Sequence, residues 1–242
     1  MDDLVLNKKE NVLWGTVLLL SMFAYFIDSY YLLILFFWVF TFLCVGNAKR
    51  IYAENERALI TFIRRSMYIL PLMVPFLIIW DFSFTILSIW WYLLGFILGL
   101  LFIIPKISVW RLVLSNDYIQ LTLSGNKFQH MMNIYTFIGG AISEELFFRY
   151  FVLNKQNSIL ILIINVLISS YLFMLSHYAT KWSNNFSQPD FVIQIVFGVF
   201  SSFLFLFSGS IIPSIIAHLT YNSTHVIQSI KSICIINRDS KD

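Results

Sequence analysis

Long apolar runs broken by short polar stretches set the pattern of this chain. The runs fall at about 12–27, 30–45, 67–80, 82–104, 131–152, 158–177, 191–207 and 211–227. A helix needs roughly 20 residues, within a range of about 17–25, to cross the hydrocarbon of a bilayer. Several runs are shorter than that. The third holds Pro71 and Pro75, which predicts a kink or partial re-entry. Two stretches mix charge with large apolar residues, 47–65 and 106–130, and both are expected to lie along the interface as amphipathic segments. The pattern predicts an all-α polytopic membrane protein with about eight transmembrane helices.

Composition agrees. Of the 242 residues, 59% are hydrophobic and only 12% charged, against about 25% charged in soluble domains. Mean hydropathy is +0.78. The lipid bilayer is therefore one expected partner. A net charge of +3 without a basic aromatic stripe argues against nucleic acid. Cys44 and Cys234 lie far apart and read as unpaired structural thiols. Lys8 and Lys9 precede a run without a small-residue cleavage site, which favours a retained first span over a cleaved signal peptide.

Charge then sets orientation. With the N-terminus inside, every Lys and Arg falls in an inner segment except Lys155 outside and Arg149 within a span. That bias places both termini in the cytoplasm of a multi-pass cell-membrane protein, with an even number of spans. The expected division is 1–130 as N-terminal spans with amphipathic cytoplasmic segments, 131–227 as a functional core, and 228–242 as a cytoplasmic tail. Within the fourth run, Gly95 and Gly99 form a GxxxG and are read as helix packing.

The fifth run carries the sequence AISEELFFRYF at 141–151. An ionisable side chain at the bilayer centre costs about 2.5–3.5 kcal/mol on insertion scales, so such groups pair or face a polar cavity. Glu145 and Arg149 are four residues apart, share a helical face and are expected to pair. Glu144 points about 100° away and has no partner on its own helix. Gly139 and Gly140, one turn earlier, allow a helix or substrate to come close. Later runs add His177, then His218 and Asn222 on one face. Phe173, one turn before His177, is expected to pack beside the site. His130 and His225 fall at run ends and are read as interfacial.

EELFFR, FMLSH and HLTYN occur in order, each in its own predicted span. Together they resemble the EExxxR, FxxxH and HxxxN motifs of the CPBP family, the CAAX proteases and bacteriocin-processing enzymes also called the Abi family. Tyr150 stands where many members have Gly. The resemblance covers roughly 131–226. It implies an intramembrane endopeptidase with a catalytic cavity among the last four helices, acting on a membrane-associated peptide or protein. It assigns Glu144 as the base that activates water and His177 as a group that holds the water. His218 and Asn222 become oxyanion donors. Arg149, paired to Glu145, supports the helix face.

A second chemistry stays open. Glu144, His177 and His218 make a His2Glu set of the kind that binds catalytic zinc, with Glu145 as base. The chain has no HExxH, which weighs toward metal-free catalysis with no cofactor. Two non-hydrolytic functions also compete: a bacteriocin self-immunity or scaffold protein without proteolysis, and a transporter or proton relay. The ordered motif set favours the endopeptidase over the relay. Charge orientation places His177 near the cytoplasmic face, so water is expected to reach the cavity from that side.

Overall fold

The computed structural model describes residues 2–48, 51, 58–78, 87–153, 158–180 and 188–239. Positions 79–86, which join the third and fourth predicted runs, lie outside the described residues. So do Lys49, Arg50, Arg57, Lys155, Lys181 and Lys241 of the orientation argument. Every regular element among the described residues is helical.

Helix α1 spans Asp2–Phe26 and α2 spans Tyr30–Ala48. Helix α3, Ala58–Ser66, is followed by α4, Leu70–Met73, which tightens into a 3-10 turn at Val74–Leu77. Pro71 and Pro75 sit near the starts of these last two pieces, where a missing N–H costs nothing. Helix α3 and the Leu70–Leu77 stretch bend by 44° at the break between Ser66 and Leu70, just ahead of the prolines. Helix α5, Ile89–Ile103, leads through a 3-10 turn at Ile104–Lys106 to α6, Ile107–Val113, and α7, Asn116–Thr122.

Helix α8, Lys127–Glu145, opens on a capping box. The Asn126 side chain accepts from the Gln129 N–H, and the Gln129 side chain accepts from the Asn126 N–H. At its far end α8 widens into a π-helical segment, Leu146–Phe151. Then come α9, Ile159–Thr180, α10, Gln188–Ser208, and α11, Ile212–Asp239. The stretch expected as a tail from 228 continues α11 to Asp239 and packs against α7.

Among the described residues, four helices are long and apolar enough to cross a membrane: Tyr30–Ala48, Ile89–Val113, Ile159–His177 and Pro189–Ser208. The bent pair raises the count among them to five. The described helices thus support four to five of the eight expected spans. Asn11–Phe26 is apolar but shorter than the others. The runs at 131–152 and 211–227 lie in long helices whose hydropathy is lowered by the ionisable and hydroxyl groups they carry.

The exterior is greasy, and charged and hydroxyl groups are gathered inside beside an apolar core. Trp14, Phe36, Leu94, Ile97 and Leu167 stand exposed, while Glu145, Arg149, Ser169, Ser201 and Ser214 are sealed inside. In water that arrangement would be strongly unfavourable; in lipid the polar groups must satisfy one another internally. Helix α11 is the axis of the packing. Added methyl groups at Gly95 and Gly99 of α5 would strike the backbone oxygens of Pro213 and Ala217, so the GxxxG does bring two backbones together. Across the bundle, side-chain hydrogen bonds fasten α2 to the core. Tyr30 Oη donates to the Phe151 carbonyl at 2.7 Å, Tyr31 Oη to Asn165 Oδ1 at 2.7 Å, and Trp38 Nε1 to Ser176 Oγ at 3.1 Å.

Candidate active site

Consecutive residues leave an α-helix about 100° apart, and at the end of α8 this divides two glutamates between two environments. The Glu145 side chain is fully buried; that of Glu144 keeps 23% of its surface open. Glu145 is the centre of a closed polar cluster. Its Oε2 lies 3.3 Å from Arg149 Nε and accepts a 2.6 Å hydrogen bond from Ser201 Oγ on α10. Its Oε1 faces His218 Nδ1 at 2.9 Å. The expected Glu145–Arg149 pair is therefore present, and the carboxylate also bonds an imidazole and a hydroxyl.

Arg149 is fully buried in turn. One guanidinium nitrogen donates to Ser169 Oγ on α9 at 2.9 Å, and its Cζ lies 4.9 Å from the centre of the Phe173 ring. The π-helical winding that holds it shows in the Val152 N–H, which donates to the Phe147 carbonyl five residues back at 3.0 Å. This wider turn buries Leu146, Phe147, Phe148, Arg149 and Phe151 together. Phe173 packs beside the site as expected, with ring centres 4.6 Å from His177 and 5.7 Å from His218.

The imidazoles are oriented by what lies behind them. His177 Nδ1 is 2.9 Å from the Phe173 carbonyl, which only accepts, so Nδ1 carries a proton. His218 Nδ1 donates in the same way to the Glu145 carboxylate. Both rings therefore turn Nε2 to the cavity. There Glu144 Oε2 stands 3.5 Å from His177 Nε2 and 3.8 Å from His218 Nε2. These separations are longer than good hydrogen bonds and too short for a water to lie between the atoms, so a water would meet all three from the cavity side. Glu144 Oε2 has no direct hydrogen-bond partner among the described residues.

Glu144, His177, His218 and Asn222 all line one cavity, with Gly140, Ala141, Phe137, Phe148 and Leu72. The structure thus brings together every residue singled out from the three motifs. Asn222 Nδ2 donates to the Phe137 carbonyl at 3.2 Å, which fixes its carboxamide against α8. His225 lies outside the cavity, stacked on Phe137 at 4.7 Å with Trp110 edge-on at 4.8 Å. Among the described residues no group of three or more His, Cys, Asp and Glu side chains is placed to hold a metal ion. Glu144 Oε2, His177 Nε2 and His218 Nε2 nevertheless converge at 3.5 and 3.8 Å, so the His2Glu set stands as the alternative to metal-free chemistry and is decided by the chelator and zinc test below.

Sequence reasoning missed Ser201, Ser169 and Arg65. Serines in membrane helices commonly bond the carbonyl four residues back, as Ser202 does to Gly198 at 2.8 Å. Nothing in the sequence distinguishes Ser201 from Ser202. Arg65 lies in a stretch that reads only as amphipathic, yet it lines the same cavity.

Residues 126–224 match the family model described as Type II CAAX prenyl endopeptidase Rce1-like, consistent with a CPBP-family intramembrane protease. That segment contains Glu144, Glu145, Arg149, Phe173, His177, His218 and Asn222. No curated protein and no solved structure matches the chain.

Proposed function

We propose that this Rce1-like domain hydrolyses a peptide bond of a membrane-associated peptide or protein, with Glu144 activating the attacking water. One observation carries the reading. The only partly open carboxylate of the EE pair faces two imidazole nitrogens at 3.5 and 3.8 Å, at the wall of a mainly apolar cavity. A general base must lie within hydrogen-bond reach of its proton, directly or through one water.

Glu144 takes a proton from the water as its oxygen bonds the carbonyl carbon. His177 Nε2 holds that water. The oxyanion is met by His218 Nε2 and by the second amide N–H of Asn222, the first being given to Phe137. His218 donates from Nε2 only as an imidazolium, whose charge the Glu145 carboxylate balances from behind. Glu144 then passes its proton to the leaving nitrogen as the C–N bond breaks. No metal takes part. By charge bias both termini face the cytoplasm, and water reaches the cavity from that side.

Glu144→Ala in a cleavage assay with membrane-reconstituted protein tests the assignment. A positioned base contributes about 10²–10⁴-fold, so cleavage should fall at least a hundredfold with membrane expression unchanged. Retained cleavage removes Glu144 from the chemistry. A chelator should leave the wild-type rate unaltered; restoration of a stripped protein by zinc would overturn the metal-free mechanism.

A further inference from the structure

Beyond its apolar run, α11 forms a second cleft with α7. Asn116, Asp117 and Gln120 line it from α7, and Lys231 and Cys234 line it from α11. Its volume is about 460 Å³, within the range of about 300–1,000 Å³ that small-molecule sites occupy. Lys231 lies thirteen residues past His218, a rise of roughly 20 Å along the helix. The cleft shares no lining residue with the catalytic cavity.

Two helices fix its depth in the membrane. The apolar stretch Ile89–Val113 has 25 residues. That is about 38 Å of helix against about 30 Å of hydrocarbon, so its end emerges among the headgroups. Lys231 Nζ donates to the Leu114 carbonyl at that end, at 2.7 Å, which sets the cleft at the same level. Lys231 is also the first Lys or Arg of α11. Before it, Ile227 and Ile230 stand exposed, three residues apart on one side of the helix. An apolar strip thus leads along α11 to a charged cleft.

The cleft presents both signs of charge. Among the described residues, Asp117 and Lys231 line it together yet form no ion pair with each other. The Lys231 ammonium has three N–H bonds, of which the Leu114 carbonyl takes one. Asn116 and Gln120 add carboxamides, which both donate and accept. Arg238 lines the rim while engaged in another interaction, so it adds field and no bond.

We propose that this cleft binds the headgroup of phosphatidylethanolamine, its phosphate at Lys231 and its ammonium at Asp117, with an acyl chain laid along Ile227 and Ile230. Charge complementarity selects this lipid. A phosphate needs a cation and a primary ammonium needs a charged acceptor, whereas a choline headgroup has no N–H to donate and a glycerol headgroup has no positive charge. The site is independent of the hydrolytic reading.

The test uses delipidated full-length protein in detergent, carrying Cys44→Ser so that Cys234 is the one remaining thiol. Native mass spectrometry with dioleoyl phosphatidylethanolamine, phosphatidylcholine and phosphatidylglycerol ranks the lipids. The ethanolamine lipid should bind about tenfold tighter than either, the worth of one charged hydrogen-bonded contact. Asp117→Asn should abolish or reverse its lead over phosphatidylglycerol. Lys231→Gln should weaken all three lipids. Equal binding in the parent, a lead that survives Asp117→Asn, or undiminished binding to Lys231→Gln overturns the proposal. Cys234 reports the place. Its alkylation by N-ethylmaleimide should slow about tenfold when the ethanolamine lipid is held at ten times its Kd. Unchanged alkylation puts the lipid elsewhere and sinks the assignment. Equal protection by O-phosphoethanolamine, which has no acyl chains, gives the cleft to a soluble ligand and overturns the lipid.

Discussion

Two adjacent glutamates take different work because one degree of freedom, rotation about the helix axis, puts one in the cavity and the other in the protein. Glu145 meets Arg149, His218 and Ser201 at once. Removing one partner of a buried ion pair costs about 3–5 kcal/mol, since the other charge stays uncompensated. Glu145→Gln should therefore lower the unfolding temperature in detergent and slow turnover. Ser201→Ala should lower both by less, with Ser201→Thr restoring them. Unchanged turnover in both variants would leave Glu145 with a packing role alone. The pairing of Glu145 with Arg149 was legible from spacing; Ser201 was not, because a hydroxyl on a distant helix leaves no trace in a local pattern.

Among elements, α5 and α11 show how small residues set the distance between helices. Gly95 and Gly99 face the backbone of α11, whereas Gly15 of α1 has nothing within 4 Å of an added methyl. Gly99→Leu should destabilise the protein by about 1–3 kcal/mol or more, as overpacking against unyielding backbone does. Gly15→Ala should be neutral or gain up to about 1 kcal/mol of helix propensity. Thermal unfolding of both in one detergent compares them directly; equal behaviour would contradict the close approach. The GxxxG announced itself in sequence, as did a break near Pro71, which falls just ahead of it between Ser66 and Leu70. The π-helical turn did not. LFFRYF is equally apolar in either winding, and the choice is made by what it must reach, such as the Phe151 carbonyl that Tyr30 holds.

For the whole molecule, the apolar pattern identified a helical membrane protein, and four to five of its eight expected spans are apolar helices among the described residues. Hydropathy marks a lipid-facing helix; α8 and α11 are turned toward a polar interior, and their own site residues dilute the signal. The orientation argument makes a direct prediction. Cysteines placed singly along α9 near His177, which lies close to that helix's end at Thr180, should react with a membrane-impermeant thiol reagent added from the cytoplasmic side. Labelling from the opposite side alone would invert the topology.

The fastening of α2 onto the core bears on modularity. Trp38 grips Ser176, the neighbour of His177, and Tyr30 grips the end of the turn that carries Arg149. The border near residue 126 is thus a limit of sequence likeness and not of the working unit. A change at Tyr30 or Trp38, both outside the matched segment, is therefore transmitted directly to the turn of Arg149 and to the neighbour of His177.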